Sequence, residues 1–281
     1  MNGLENADFC AAQETSRRTK IIDKYCDMHH TVEPRPKIET FFRHTHLTYE
    51  ILYFVRGEAD YNIEGKVFTL HPHDLLFIPP KKFHYLHLKS EATYERYCSN
   101  FDARVLPSES RDRLEDLPFV WNIENQPTLR ACFEKMDEYV ARFSEADARL
   151  MLRCALREIL LNLLYEAPAI RVGEDVRRNR IIDRIIATIE SDPNRDWDAE
   201  SLSRELFLSK SYIQNVFSRY MDIGLKTYIS TKKILYAQSL LLSGDRPADV
   251  CEACGFRDYS TFYRLFRKIT GKTPNEIAKG V

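Results

Sequence analysis

The C-terminal third of the chain repeats itself, and a repeat of this size dictates the architecture that contains it. Leu202, Leu206 and Leu208 recur as Val250, Cys254 and Phe256, at an offset of 48 residues. Ile213, Val216 and Phe217 recur as Phe262, Leu265 and Phe266, at an offset of 49. The offset slips between Leu208 and Ser209, where a turn belongs. Each copy reads as a short helix, a turn, and a second helix opened by a good N-cap: Ser209 in the first, Asp258 in the second. That is the helix-turn-helix pattern, whose second helix is shaped for the major groove. Gly255 falls in the second turn, where a positive φ angle costs little. Leu225 to Leu242 reads as one connecting helix, roughly 27 Å long at 1.5 Å per residue. Successive major grooves on one DNA face lie ~34 Å apart. A plain helical bundle would share the 3.6-residue period, but it would not require paired caps, a doubled pattern or basic second helices.

Charge is distributed to match. From Arg177 onward there are 18 Lys/Arg and 13 Asp/Glu, a net of +5, within a chain whose overall net charge is −1. A basic C-terminal third facing an acidic remainder fits a polyanion-binding module, although the excess is modest. No apolar run approaches the roughly 20 residues of a membrane helix, and the first twenty residues carry no signal-peptide core. The expected location is therefore cytoplasmic, with no membrane partner. Seven cysteines, odd in number and scattered, argue against a disulfide framework. Cys251 and Cys254 form a lone C-x-x-C, which reads as two small buried helix residues because no second ligand pair lies nearby.

Residues 38–102 read as strands. Glu50 to Arg56, Glu58 to Ile63, Val67 to Leu70, Leu75 to Ile78 and Phe83 to Leu88 alternate with turn signals, Glu64-Gly65 being a hairpin turn. Strands at this spacing indicate a barrel or sandwich. The period then becomes helical. Leu129, Phe133, Met136 and Val140 lie on one helix; Leu150, Leu152, Leu156, Leu160, Leu161 and Leu164 continue on a second, with a break near Ser144. The second helix is apolar on more than one side, which packing on the barrel or on a dimer partner would explain.

Residues Val250 to Pro274 (VCEACGFRDYSTFYRLFRKITGKTP) resemble the signature of the AraC/XylS regulators, and Ser209 to Tyr220 (SKSYIQNVFSRY) is similar to that family's first recognition helix. Asp222 departs from the Gly usual there, the counterpart of Gly271; Asn215 departs from a commonly basic position. The resemblance implies a multi-domain α+β chain: an N-terminal cupin-like β-barrel with trailing helices and a C-terminal all-α double helix-turn-helix domain. The expected division is a polar arm over 1–25, an effector-binding barrel over 26–125, a helical dimerisation segment over 126–166, a linker over 167–178, and the DNA-binding domain over 179–281. The implied partners are double-stranded promoter or operator DNA, a small-molecule effector, a second copy of the chain as a homodimer, and RNA polymerase. Expected DNA-contacting residues are Lys210, Ser211, Tyr212, Gln214, Asn215 and Ser218 in the first unit. In the second they are Arg257, Tyr259, Ser260, Tyr263, Arg264, Arg267 and Lys268. Gln and Asn can pair bidentately with adenine and Arg264 with guanine, while Arg267 and Lys268 suit phosphates.

The spacing His44-x-His46-x3-Glu50-x6-Gly57 matches the first cupin motif, and the segment from Gly65 to His84 resembles the second. It departs by placing His73 before Asp74, where Gly is usual, and by lacking the downstream Asn. Two histidines one residue apart share a strand face, so His44, His46, Glu50, Tyr61 and His84 are read as the effector-binding set. In metal cupins three His and one Glu converge in this way, and such donors suit Mn, Fe, Zn or Ni. The reading adopted assigns no metal, no cofactor and no catalytic residue. Its alternative is a metal-dependent cupin enzyme fused to a DNA-binding module. His71, His73 and His87 read as turn or surface residues. Tyr53, Tyr61, Phe77, Tyr85 and Tyr97 read as aromatic platforms on or near the pocket strands, which makes a sugar the leading effector class.

Overall fold

The computed structural model describes residues 16–41, 43–166, 176–177, 179–193 and 195–279. The strands are β1 (Arg17–Ile22), β2 (Asp27–Glu33), β3 (Tyr49–Arg56), β4 (Ala59–Ile63), β5 (Lys66–Leu70), β6 (Asp74–Ile78), β7 (His84–Leu88), β8 (Tyr94–Phe101), β9 (Val120–Asn122) and β10 (Val176–Arg177). They form a six-stranded sheet in the order β1-β2-β8-β3-β6-β9 and a four-stranded sheet in the order β10-β5-β4-β7. The Glu64-Gly65 hairpin forms as expected, with both residues at positive φ.

Two boundaries move. The expected polar arm is shorter, because Arg17–Ile22 pairs along its whole length with β2. Exposed Arg17, Arg18 and Lys20 disguise this strand, in which Ile21 is the one buried residue. Residues 1–15 lie outside the described residues. Within the expected linker, Val176 and Arg177 pair with Phe68 and Val67; 167–175 and 178 lie outside the described residues.

Strand β3 shows why its sequence is almost continuously apolar. Leu52 and Phe54 point into the barrel, against Tyr61 and Leu86. Ile51 and Tyr53 point the other way, into a core shared with Phe133, Leu156 and Leu160. That outer core is covered by α2 (Pro127–Arg142) and α3 (Glu145–Glu166), which follow the short α1 (Ser108–Arg111). Ser144 breaks the pair as expected, its hydroxyl accepting from the Asp147 N–H at 3.2 Å. The apolar breadth of α3 is explained here. Leu152, Leu156, Ile159, Leu160, Leu163 and Leu164 are buried against the barrel. The apolar face from Leu152 to Leu164 is thus core, whereas Leu150, expected on the same stripe, and Tyr165 are exposed.

The C-terminal part is helical: α4 (Arg180–Ser191), α5 (Ala199–Leu206), α6 (Lys210–Met221), α7 (Leu225–Leu242), α8 (Pro247–Ala253), α9 (Tyr259–Thr270) and α10 (Pro274–Lys279). Both expected caps form: Ser209 accepts from the Tyr212 N–H at 3.3 Å and Asp258 from the Thr261 N–H at 2.7 Å. Each satisfies a backbone donor the helix start leaves unpaired, worth about 1 kcal/mol. Two separate cores result. Ile185, Leu202, Ile213, Phe217 and Tyr228 hold the first unit; Ile234, Leu241, Val250, Phe262 and Phe266 hold the second. Helix α7 contributes to both, so it is a rigid connector rather than a spacer. Cys251 and Cys254 are buried. No described helix is long and apolar enough to cross a membrane.

The barrel and the first unit are packed together. Phe83, which precedes β7, sits in the first unit's core. Gly65 lies so close that a Cβ there would meet Met221 Sδ at 2.9 Å and Ile182 Cγ2 at 3.0 Å. The hairpin tip is glycine because the DNA module presses on it, as well as for its φ of 78°.

Candidate functional site

The barrel encloses a cavity of about 710 Å³ whose walls include His44, His46, Glu50, Tyr61 and Arg96. Against it, His44, His46, Glu50 and His84 bring one donor atom each within 4.8 Å of one another, His44 being exposed and His84 buried behind the lining. Strand β3 supplies Glu50 and strand β7 supplies His84. His44 is bridged to His84 by reciprocal backbone hydrogen bonds of 3.1 and 3.0 Å. Glu50 Oε2 lies 3.0 Å from His46 Nε2 and 3.2 Å from His84 Nε2. Its other oxygen accepts from the Tyr61 hydroxyl at 3.2 Å. The five residues assigned to effector binding from the sequence are thus brought together.

Burial alone would push the Glu50 carboxyl up, but hydrogen bonds and charge from His46 and His84 hold it well below the usual carboxylate range. Burial likewise works against a charged His46, and its hydrogen bond to Glu50 outweighs that, raising its pKa. Tyr61 is pushed well above the ordinary phenol range, first by burial and then by Glu50, so its hydroxyl is a permanent donor.

The donor set fits a divalent transition metal. His84 Nδ1 lies 2.9 Å from the Lys82 carbonyl and His46 Nδ1 lies 2.8 Å from the Thr48 carbonyl. A proton on each Nδ1 would donate to those carbonyls and leave each Nε2 lone pair facing the cluster, the arrangement that orients metal-binding histidines. His84 Nε2 is buried, with the Glu50 carboxylate at 3.2 Å as its neighbour. Three imidazoles and one carboxylate are a suitable set for Zn, Fe, Mn or Ni.

The expected aromatic platforms divide. Tyr61 lines the cavity. Tyr53, Phe77 and Tyr97 face the opposite side of the six-stranded sheet, in the core under α2 and α3. Tyr53 is three residues from Glu50, so strand alternation puts it on the other face. Tyr85 stands outside, under the Arg43 guanidinium. Tyr94 and Arg96, which the motif spacing did not single out, do line the cavity; on β8 they share Cys98's face. His71 is exposed, whereas His73 Nδ1 lies 2.8 Å from the Tyr53 hydroxyl and His87 Nδ1 2.8 Å from the Thr40 hydroxyl.

On the helical module, Ser211, Tyr212, Gln214, Asn215 and Ser218 are exposed on α6, while Ile213, Val216 and Phe217 are buried. On α9, Tyr259, Ser260, Arg264, Arg267 and Lys268 are exposed, Tyr263 is half-buried, and Phe262 and Phe266 are buried. Arg257 is exposed just before α9, and Lys210 is exposed and ion-paired with Glu200. Gln214, Lys210, Arg257 and Thr261 line one groove of about 620 Å³ between the two units. Both recognition helices therefore carry an apolar buried face and a polar open one.

Residues 202–280 match the family model described as a helix-turn-helix domain, and residues 33–160 match the one described as an AraC-like ligand binding domain. The chain belongs to the AraC family of DNA-binding transcription regulators. Among its relatives, the HTH-type transcriptional regulator ExsA of Pseudomonas aeruginosa is 25% identical over 80% of this chain and 84% of its own length. The HTH-type transcriptional activator RhaS of Escherichia fergusonii is 25% identical over 100% of this chain and 98% of its own. The arabinose operon regulatory protein of Salmonella typhimurium is 23% identical over 80% and 82%. This AraC-family regulator has a ligand-binding barrel and a helical DNA-binding region, so the fold class expected from the sequence holds.

Sequence reasoning missed the residues that join the two parts. Glu64, at the hairpin tip, accepts from the Phe83 N–H, the Tyr228 hydroxyl and Lys232 Nζ, all at 2.8 Å. Lys232 also reaches Glu190 at 2.9 Å, and Lys82 reaches Glu190 at 2.8 Å. Burial would raise the Glu190 pKa, but the two lysines bring it below the ordinary value. Arg43 donates to the Asp222 carbonyl at 2.6 Å and to its carboxylate. The departure at Asp222 was the one sequence signal that pointed here.

Proposed function

We propose that the regulator binds its effector at the His44, His46, Glu50, His84 and Tyr61 end of the barrel and reads DNA with the open faces of α6 and α9. The observation that carries the first part is the convergence of four titratable donors and a phenol beside the barrel cavity. Such a set hydrogen-bonds hydroxyl groups well, and a carbohydrate is the class that suits it. Two relatives are named for arabinose and melibiose operons, which supports the same class. The barrel is a sensor and not a catalyst, a reading supported by relatives that are transcription regulators. A ligand acts by favouring one of two packings of barrel and DNA module.

The Nδ1–carbonyl contacts of His46 and His84 and the convergence of four donor atoms favour a further feature, a metal held by His44, His46, Glu50 and His84. When bound, it would act as a Lewis acid that polarises effector oxygens. The rest of the chemistry belongs to the chain: Tyr61 donates a hydrogen bond, and the apolar walls at Leu86 and Leu88 exclude water. We also propose that the regulator works as a homodimer and engages RNA polymerase at the promoter. The exposed edge of α3 at Leu150 and Tyr165 is the support left for pairing through that helix.

The test is Glu50→Gln in the full-length protein, which removes charge and keeps shape. Native mass spectrometry, metal analysis and thermal shift against pentoses and hexoses should show ligand binding in the wild type that the variant loses. DNA affinity without ligand should be unchanged. Metal-dependent turnover of a small molecule, abolished in the variant, would replace the sensor by the cupin enzyme.

A further inference from the structure

Each histidine of the His44–His46–Glu50–His84 cluster is a chain neighbour, or a hydrogen-bond neighbour, of a residue held by the helical module. His84 follows Phe83, which lies in the first unit's core. The His46 carbonyl accepts from the Lys81 N–H at 2.8 Å, and the Lys81 carbonyl in turn accepts from Lys232 Nζ at 2.6 Å. His44 follows Arg43, which grips Asp222. Asp222 ends α6, the first recognition helix, in the left-handed conformation with φ 49°.

Short backbone bridges tie this segment to β7: Phe41 N–H donates to the Leu86 carbonyl at 2.8 Å, and His44 is paired to His84. The side chains of the adjacent residues Arg43 and His44 diverge. His44 lines the cavity; Arg43 points out, packs over the Tyr85 ring at 4.5 Å, and reaches Asp222. The Arg43–His44 pair therefore has an effector side and a DNA-module side one residue apart. Arg43 is mostly buried while the Asp222 side chain is 73% exposed. By contrast, Glu64 and Lys232 are both largely buried, at 5% and 12%.

We propose that the Arg43–His44 pair transmits the state of the pocket directly to the first recognition helix. The Glu64–Lys232–Tyr228 network is the fixed anchor between the two parts. Arg43–Asp222 is a weaker clasp that follows the backbone at His44. Displacement of His44 by an occupant shifts Arg43, and the C-terminal turn of α6 loosens or re-seats while the anchor holds. The aspartate in a position where Gly serves the turn equally well is explained by this grip: the turn needs only a left-handed residue, but the clasp needs a carboxylate. The proposal rests on the effector reading for what moves His44, but the mechanical link can be tested without any ligand.

Amide hydrogen exchange of the full-length protein reads the link. In Arg43→Ala, the amides of the last turn of α6, residues 218–222, should exchange several-fold faster, as expected on losing a partly exposed charged hydrogen bond. Arg43→Lys should fall between. His44→Ala should accelerate the same amides in the wild-type background and add nothing in the Arg43→Ala background. Equal factors in both backgrounds, or no effect of His44→Ala, would overturn the link. Acceleration that spread equally to α9 would overturn it as well, since it would report general loosening. Failure of the effector reading would appear separately, as an absence of ligand binding with this exchange coupling intact.

Discussion

The two helix-turn-helix units descend from one pattern yet differ at the same two positions. The turn of the first unit places Phe207 in the left-handed conformation with φ 54°, and the end of α6 places Asp222 there; the second unit has Gly255 and Gly271 at the matching places. Glycine adopts this conformation freely, whereas other L-residues are strained in it by roughly 1–2 kcal/mol. The second unit is thus built for local economy of strain. The first unit tolerates strain where its side chains have other roles. It also shares its core with Phe83 of the barrel, while among the described residues the second unit's core contains none from the barrel. The contrast teaches that duplicated units can divide labour: one is tied to the sensor, and the other reports to it only through α7.

The largest effect that could break this contrast comes from the cores. Phe262→Ala should destabilise the second unit by about 3–5 kcal/mol, and leave the first unit and its barrel contact protected. Phe217→Ala should cost a similar amount and loosen the barrel contact as well. Hydrogen exchange on each variant distinguishes them, and equal exposure of both units in Phe262→Ala would end the division.

Glu64→Ala should come next. It leaves the Lys232 ammonium and the Tyr228 hydroxyl beside an empty buried site. The loss is about 3 kcal/mol, in line with removing one partner of a buried pair. Thermal unfolding should then resolve the barrel and the helical module as separate transitions. A single unshifted transition would show that the anchor is not what joins them.

DNA reading should be divided too. Gln214→Ala and Arg264→Ala should each weaken binding by about 1–3 kcal/mol, at different base pairs of one site. Arg267→Ala should instead flatten the salt dependence by about one unit and leave sequence preference alone. Fluorescence anisotropy over operator variants and salt concentrations checks all three. If Gln214→Ala and Arg264→Ala both bound every operator variant as the wild type does, the assigned faces would be wrong.

The smallest effects probe the left-handed positions themselves. Phe207 is 92% exposed and makes little packing contact, so Phe207→Gly should stabilise the first unit by about 1 kcal/mol. Gly271→Asp should cost about as much, because no arginine waits there. Asp222→Gly should gain less than Phe207→Gly, since relief of strain is offset by loss of the Arg43 grip. Urea unfolding midpoints rank the three, and an Asp222→Gly gain matching that of Phe207→Gly would remove the clasp's energetic role.

Periodicity and capping chemistry are local, and they were legible in the chain itself. The doubled helix-turn-helix, its caps at Ser209 and Asp258, the Glu64-Gly65 hairpin and the break at Ser144 all follow from residues within a few positions of one another. The pocket set His44, His46 and Glu50 was legible from its motif spacing, although His44 and His46 precede β3 across a bend and are brought to Glu50 by the fold rather than by strand alternation. Alternation places Tyr53 opposite Glu50, so that residue was misread rather than hidden. Phe77 and Tyr97 needed the strand register, which depends on which strands pair. The apolar breadth of α3 was visible, but whether a barrel or a partner covered it was not, since both bury the same stripe. The Arg43–Asp222 grip spans 179 residues, and no period in the chain reaches that far. It exists because the barrel and the first unit dock through Phe83, Gly65 and Glu64, and docking is decided by the fit of two finished surfaces.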